Sequence, residues 1–126
     1  MQVLMVGLGS IGQRHMRNLR ILLGEEVQFS AFRVINRNHL LTDNLEVVQG
    51  KQLEHEFNLR VYHDLNQALS KKPDVVFVTN PTSKHIEVAI AAANAGCDLF
   101  IEKPLSHSLE NVQKLQDIVT KKNIIC

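Results

Sequence analysis

Gln2-Val3-Leu4-Met5-Val6-Gly7-Leu8-Gly9-Ser10-Ile11-Gly12 begins as a short apolar run and breaks into three glycines spaced G-x-G-x-x-G. The run predicts a strand, the glycines a tight turn, and the residues after Gly12 a helix. Each glycine plays a distinct physical part in such a turn. The first permits the bend, the second lets backbone approach a pyrophosphate, and the third lets helix and strand pack closely. The anion then rests on the unpaired N–H groups and positive end of the helix. Three glycines alone are a weak signal; here the strand before and the helix after are both present.

Beyond Gly12, Ile11, Met16, Leu19, Leu22 and Leu23 recur at helical spacing, and Gly24 supplies the stop. Val27 to Phe32 reads as a second strand. From Arg33 to about Arg60 the chain is polar, and Leu40, Leu41, Leu45, Val47 and Val48 predict one or two short helices. Leu59 to Tyr62 predicts a third strand. Asp64 with Gln67 three residues on matches a capping box, opening a short helix that buries Leu65, Ala68 and Leu69. Val75 to Val78 lacks polar alternation, as strands buried on both faces do.

Thr82 or Ser83 is expected to cap a helix running to Ala95, with Gly96 at its C′ position. Asp98 to Ile101 is another buried strand. Ser106 or Ser108 opens a helix from Leu109 to Lys121 with Val112, Leu115, Ile118 and Val119 inward, and Asn123 to Cys126 begins a sixth strand. Strand and helix alternate to the end. That pattern predicts one α/β domain over residues 1–126, a doubly wound parallel sheet of the Rossmann type with about six strands and helices on both faces.

Composition narrows the function classes. With 126 residues, 44% apolar and 21% charged, the chain has the make-up of an ordinary globular domain. A net charge of +1 leaves no electrostatic footprint for nucleic acid. Arg14, Arg17 and Arg20, three apart, read as a solvated helix face. Cys97 and Cys126 form neither a metal spacing nor a disulfide framework, which suits a reduced, cytoplasmic setting. The apolar stretch Val88 to Ala95 is far below the roughly 20 residues that span a bilayer, so no membrane partner is expected. His39, His55, His63 and His107 make no ligand pattern with the cysteines, and no metal is expected.

In a doubly wound sheet, ligands bind beyond the carboxyl ends of the strands. That rule selects Gly7 to Gly12, Thr79 to Thr82 and Glu102 to Pro104, each directly after a predicted strand. The motifs G-L-G-S-I-G-Q-R-H, T-N-P-T-S-K-H and E-K-P-L-S, in this order after strands one, four and five, resemble those of the Gfo/Idh/MocA oxidoreductases. The resemblance runs from Val3 to Ile125, and Glu102-Lys103-Pro104 is its most specific part.

It implies a nicotinamide-nucleotide-binding Rossmann domain. The associated chemistry is hydride transfer at a hydroxyl or carbonyl carbon of a sugar, cyclitol or polyol. By motif, Gly7, Gly9, Ser10, Ile11 and Gly12 would cradle the pyrophosphate. Thr79, Asn80 and Pro81 would lie along the nicotinamide ribose, with His85 behind as a structural or ribose-side residue. Glu102 would hold the nicotinamide end, Lys103 would point at the reacting oxygen, and Pro104 would follow a cis peptide. A lysine suits that position because the oxygen must lose a proton or share developing charge: the neutral amine accepts the proton, and the cation shares the charge in a dry site. His15 is expected only to cover the N-terminal turn of its helix.

Two features depart from the pattern. Selection of NAD calls for Asp or Glu about 20 residues beyond the glycines. Arg33 stands there instead, and no acid follows until Asp43. Arg33 and Arg37, with Asn36, therefore favour NADP over NAD, since a guanidinium binds the 2′-phosphate that a carboxylate repels. The family also continues into a second α/β domain that supplies the substrate pocket, a further histidine in many members, and much of the oligomer interface. That domain lies outside this chain, so cofactor binding with little turnover is expected of it. The apolar Ile124-Ile125-Cys126 edge would invite pairing with a neighbouring chain and a homo-oligomer. A non-catalytic regulatory or redox-sensing nucleotide module fits the same glycines. A methyltransferase-type site explains neither the Thr79 nor the Lys103 loop.

Overall fold

In the computed structural model, which describes residues 1–34, 38–42 and 44–126, the chain alternates strand and helix. The first half runs β1 (Gln2–Val6), α1 (Ser10–Leu23), β2 (Gln28–Phe32), β3 (His39–Leu41), β4 (Val47–Gln52) and α2 (Leu53–Glu56). The second runs β5 (Arg60–Tyr62), α3 (Leu65–Leu69), β6 (Val75–Val78), α4 (His85–Ala95), β7 (Asp98–Ile101) and α5 (Val112–Lys122). One parallel sheet has the order β5-β2-β1-β6-β7, so the winding reverses between β1 and β6. A loop-binding crevice opens at that reversal.

Strand parity divides the core. Leu4 and Val6 face Val76, Val78 and Leu99 on the side covered by α3, α4 and α5. Val3 and Met5 face Phe29, Ala31 and Phe77 on the side covered by α1 and α2. Each such aliphatic side chain contributes about 1.5–3 kcal/mol on full burial. Two buried layers, one on each face, explain why Val3 to Val6 and Val75 to Val78 carry no polar positions.

Asp64 caps α3 as expected, its Oδ1 accepting from Gln67 N–H at 2.6 Å, and Gly96 closes α4 in the left-handed conformation at φ 83°. Several expectations change. The stretch read as one or two short helices is an antiparallel hairpin, β3 with β4, leading into the four-residue α2. Tertiary contact makes it so: the buried Gln13 side chain donates to His39 O and accepts from Leu41 N–H, capturing β3 against α1. The turn places Leu45 at φ 66°, where glycine or asparagine would have signalled it.

The inward face of α1 is Gly12, Gln13 and Met16, with Leu22 left 77% exposed. Neither Thr82 nor Ser83 caps α4; a 3-10 turn over Thr82–Lys84 leads into it from Pro81. α5 starts at Val112 after Asn111 at φ 62°, not at Leu109, and Leu115 is its one buried residue. The sheet has five strands rather than six. Residues 123–126 run beside β7, where Leu99 N–H donates to Ile125 O at 2.8 Å.

Candidate functional site

The three loops singled out by the sheet rule meet at one edge. β1 ends in Gly7 at φ 106°, and a Cβ there would lie 2.6 Å from both Asn80 N and Thr79 C. A Cβ on Gly12 would strike Gly7 O and lie 2.9 Å from Thr79 Oγ1. Both glycines are therefore required by the close approach of the β1 and β6 loops. Thr79 closes the knot from behind: its N–H donates to Val6 O at 2.8 Å and its hydroxyl to Gly7 O at 2.7 Å.

Gly9 behaves differently. It has extended backbone, at φ −70° and ψ −173°, and no atom lies within 4 Å of where its Cβ would be. It is the N-cap of the 14-residue α1, with no side-chain cap and no acid in the first turn. The first-turn N–H groups thus have no intrahelical acceptor, and the positive helix end is unanswered by side chains. Close by, Asn80 Oδ1 is enclosed and accepts no hydrogen bond from the described residues. The open space over Gly9 and the bare helix N–H groups fit a pyrophosphate, while the orphaned acceptor calls for a donor such as a ligand hydroxyl.

His85 joins the second loop to the third. It is 2% exposed at the start of α4, with Nε2 2.7 Å from Asn80 O and Nδ1 3.0 Å from Pro104 O. Both partners are backbone carbonyls, and the ring lies between them as a staple joining the two loops. The Lys103–Pro104 peptide is cis. Lys103 itself is exposed, and its N–H donates to Glu102 Oε2 at 3.1 Å.

Glu102 is held from the other side by His15, whose Nε2–H donates to Oε1 at 2.7 Å. The His15 ring packs against Phe77 and Phe100, its centroid 5.6 and 4.8 Å from theirs. The hydrogen bond from His15 holds the Glu102 carboxyl below the usual carboxylate range, and the Lys103 N–H adds to this. His15 thus does more than cover its helix end. Its partner lies 87 residues away, so nothing local could have paired them.

At the end of β2, Arg33 is 7% exposed and its guanidinium pairs with the Glu54 carboxylate from α2. Burial pushes its pKa below the ordinary value. Arg37 and Asn36 lie outside the described residues. Gln13 and Glu54 are the site-side residues that sequence reasoning missed. Gln13 carried one signal, a polar residue on the inward stripe of a helix; Glu54 carried none. Among the described residues no cluster of His, Cys, Asp or Glu could hold a metal ion, and no helix is long and apolar enough to cross a membrane. A broad cleft lined by Gln2, Arg20, Gln28 and Arg60 opens at the opposite ends of the strands, away from the three loops.

Comparison with known proteins bears on this edge. The sequence matches Gfo/Idh/MocA, an oxidoreductase family with an NAD-binding Rossmann fold, over residues 1–126. It is 29% identical to Myo-inositol 2-dehydrogenase of Thermotoga maritima, covering 99% of this chain and 34% of that protein. It is 27% identical to 4-carboxy-2-hydroxymuconate-6-semialdehyde dehydrogenase of Sphingobium sp., covering 100% of this chain and 37% of that one. A solved structure of a probable dehydrogenase from Thermotoga maritima superposes with a TM-score of 0.78 at 26% identity, covering 99% of this chain and 34% of that one. The chain spans about a third of the length of these relatives. With a family match along its whole length and all three motif loops gathered at the switch point, the chain belongs to the Gfo/Idh/MocA oxidoreductases and forms their NAD-binding Rossmann fold.

Proposed function

We propose that this domain serves an oxidoreductase that takes NADP(H) ahead of NAD(H). The enzyme moves hydride to or from a hydroxyl or carbonyl carbon of a sugar-like or polyol substrate. The observation that carries the reading is the open edge itself. The uncapped start of α1 with the Gly9 cradle lies on the same edge as the loop that presents exposed Lys103. Gly7, Gly9, Ser10, Ile11 and Gly12 would hold the pyrophosphate. Asn80 and Pro81 would meet the nicotinamide ribose, Thr79 supporting them from behind and His85 keeping their loop against Pro104.

A bound nicotinamide supplies the hydride chemistry. The chain's own part is the proton: Lys103 Nζ takes it from the alcohol oxygen in oxidation and returns it in reduction. Glu102, fixed by His15, keeps the Lys103 peptide in place. NADP(H) is favoured by Arg33 closing β2 where an acid would select NAD(H). Relatives about three times as long support a substrate pocket built by a second domain, and the inositol dehydrogenase among them supports the polyol class.

The test is Lys103→Ala in the protein that carries both domains. General acid–base catalysis contributes about 10²–10⁴-fold, so kcat should fall on that scale while cofactor affinity is spared. Equal rates would remove Lys103 from the reaction.

A further inference from the structure

The β3–β4 hairpin and α2 have no part in the glycine motif, yet they end on a carboxylate placed beside Arg33. In a Rossmann fold the residue closing the second strand meets the 2′ position of the adenine ribose. An acid there accepts the 2′-hydroxyl of NAD(H); an arginine receives the 2′-phosphate of NADP(H). β2 has no acid of its own at that position. α2 brings one in from 21 residues further along.

The placement is built rather than incidental. Leu53, the residue before Glu54, is 0% exposed, and its N–H donates to Asn38 O at 3.4 Å. Arg33 is pinned by its backbone, which donates to Tyr62 O at 3.1 Å and accepts from His63 Nδ1 at 3.1 Å. The two anchors hold the charges against each other. Arg33 is 7% exposed and Glu54 34%, so the carboxylate keeps a face toward solvent.

We infer that Glu54 is a specificity-determining residue for the cofactor, competing with a 2′-phosphate for the Arg33 guanidinium and offering its carboxylate to a 2′-hydroxyl. A dianionic phosphate arriving here meets a cation already answered and an anion that repels it. A ribose hydroxyl meets an acceptor. Glu54 therefore restrains the preference that Arg33 alone would set, and both cofactors are admitted. This inference rests on the nicotinamide-cofactor reading above.

The experiment titrates NADH and NADPH separately into the wild-type chain, Glu54→Gln and Arg33→Gln by calorimetry. Glutamine keeps the side-chain shape and a hydrogen bond to Arg33 while removing the charge. Loss of one opposing charge at a charge-assisted contact is worth about tenfold or more. Glu54→Gln should raise the NADPH-to-NADH affinity ratio on that scale, with NADH binding retained as proof of fold. Arg33→Gln should lower the ratio. An unchanged ratio in Glu54→Gln, with both nucleotides still bound, overturns the role of Glu54 and leaves the cofactor reading standing. If neither nucleotide binds the wild-type chain, the cofactor reading fails and this inference with it.

Discussion

Gly7 and Gly9 stand two residues apart in one motif, yet alanine should act on them in opposite ways. At Gly7 the backbone lies at φ 106°, and a Cβ would sit 2.6 Å from Asn80 N. Holding a non-glycine residue in a sparsely populated conformation costs about 1–3 kcal/mol. Forcing the β1 and β6 loops apart adds a further ~1–3 kcal/mol of overpacking. For a domain of this size each kcal/mol moves Tm by roughly 4 °C. Gly7→Ala should therefore lower Tm by roughly 8–24 °C.

Gly9 has ordinary extended dihedrals and open space around the missing Cβ. Alanine is a poorer N-cap than glycine, but it also restricts the unfolded chain, which stabilises by about 0.4–1 kcal/mol. These offset, leaving Tm within roughly 4 °C of wild type. The new methyl fills the cradle, however, so nucleotide affinity should fall at least about tenfold, the cost of displacing a helix-terminus anion contact. Thermal unfolding by circular dichroism and calorimetric titration with NADH and NADPH read the two effects separately. A Gly9→Ala chain that binds nucleotide as wild type does would refute the cradle. A Gly7→Ala chain that melts with Gly9→Ala would refute the loop contact.

His85→Ala should cut the link between Asn80 and Pro104 and leave a buried gap between their loops, lowering stability by about 2–4 kcal/mol in chemical unfolding and weakening nucleotide binding as well. Glu102 titrates below the usual carboxylate range in the folded chain, because His15 bonds its ionised form. Its contribution to stability is complete above the unfolded-state carboxylate pKa and shrinks as the pH falls through the folded-state value, since the unfolded chain takes the proton first. His15→Leu keeps the packing against Phe77 and Phe100 and removes the bond. It should flatten the fall of the urea midpoint below about pH 4.5, and a curve parallel to wild type would remove His15 as the cause.

Much of this architecture was legible because it is written locally. The unbroken apolar runs at β1 and β6 announce central parallel strands, and Asp64 and Gly96 mark helix ends by backbone chemistry that acts within a few residues. The hairpin was not legible: Asn44 signals a turn without saying which strands it joins, the left-handed position falls on Leu45, and Gln13, some 26 residues before His39, holds the first strand. The same holds for the extra charges of the site. His15 with Glu102, and Arg33 with Glu54, are ordinary surface-type residues until folding closes the distance.

The amino-acid order by itself determined the doubly wound sheet and which three loops lie on its working edge, because strand burial, helix caps and glycine turns are short-range consequences of residue type. Only the tertiary structure decided which glycine is a contact and which a cradle, and which carboxylate answers Arg33. Those depend on the position of atoms brought together by the crossing of distant strands, and no periodicity in the chain encodes that position.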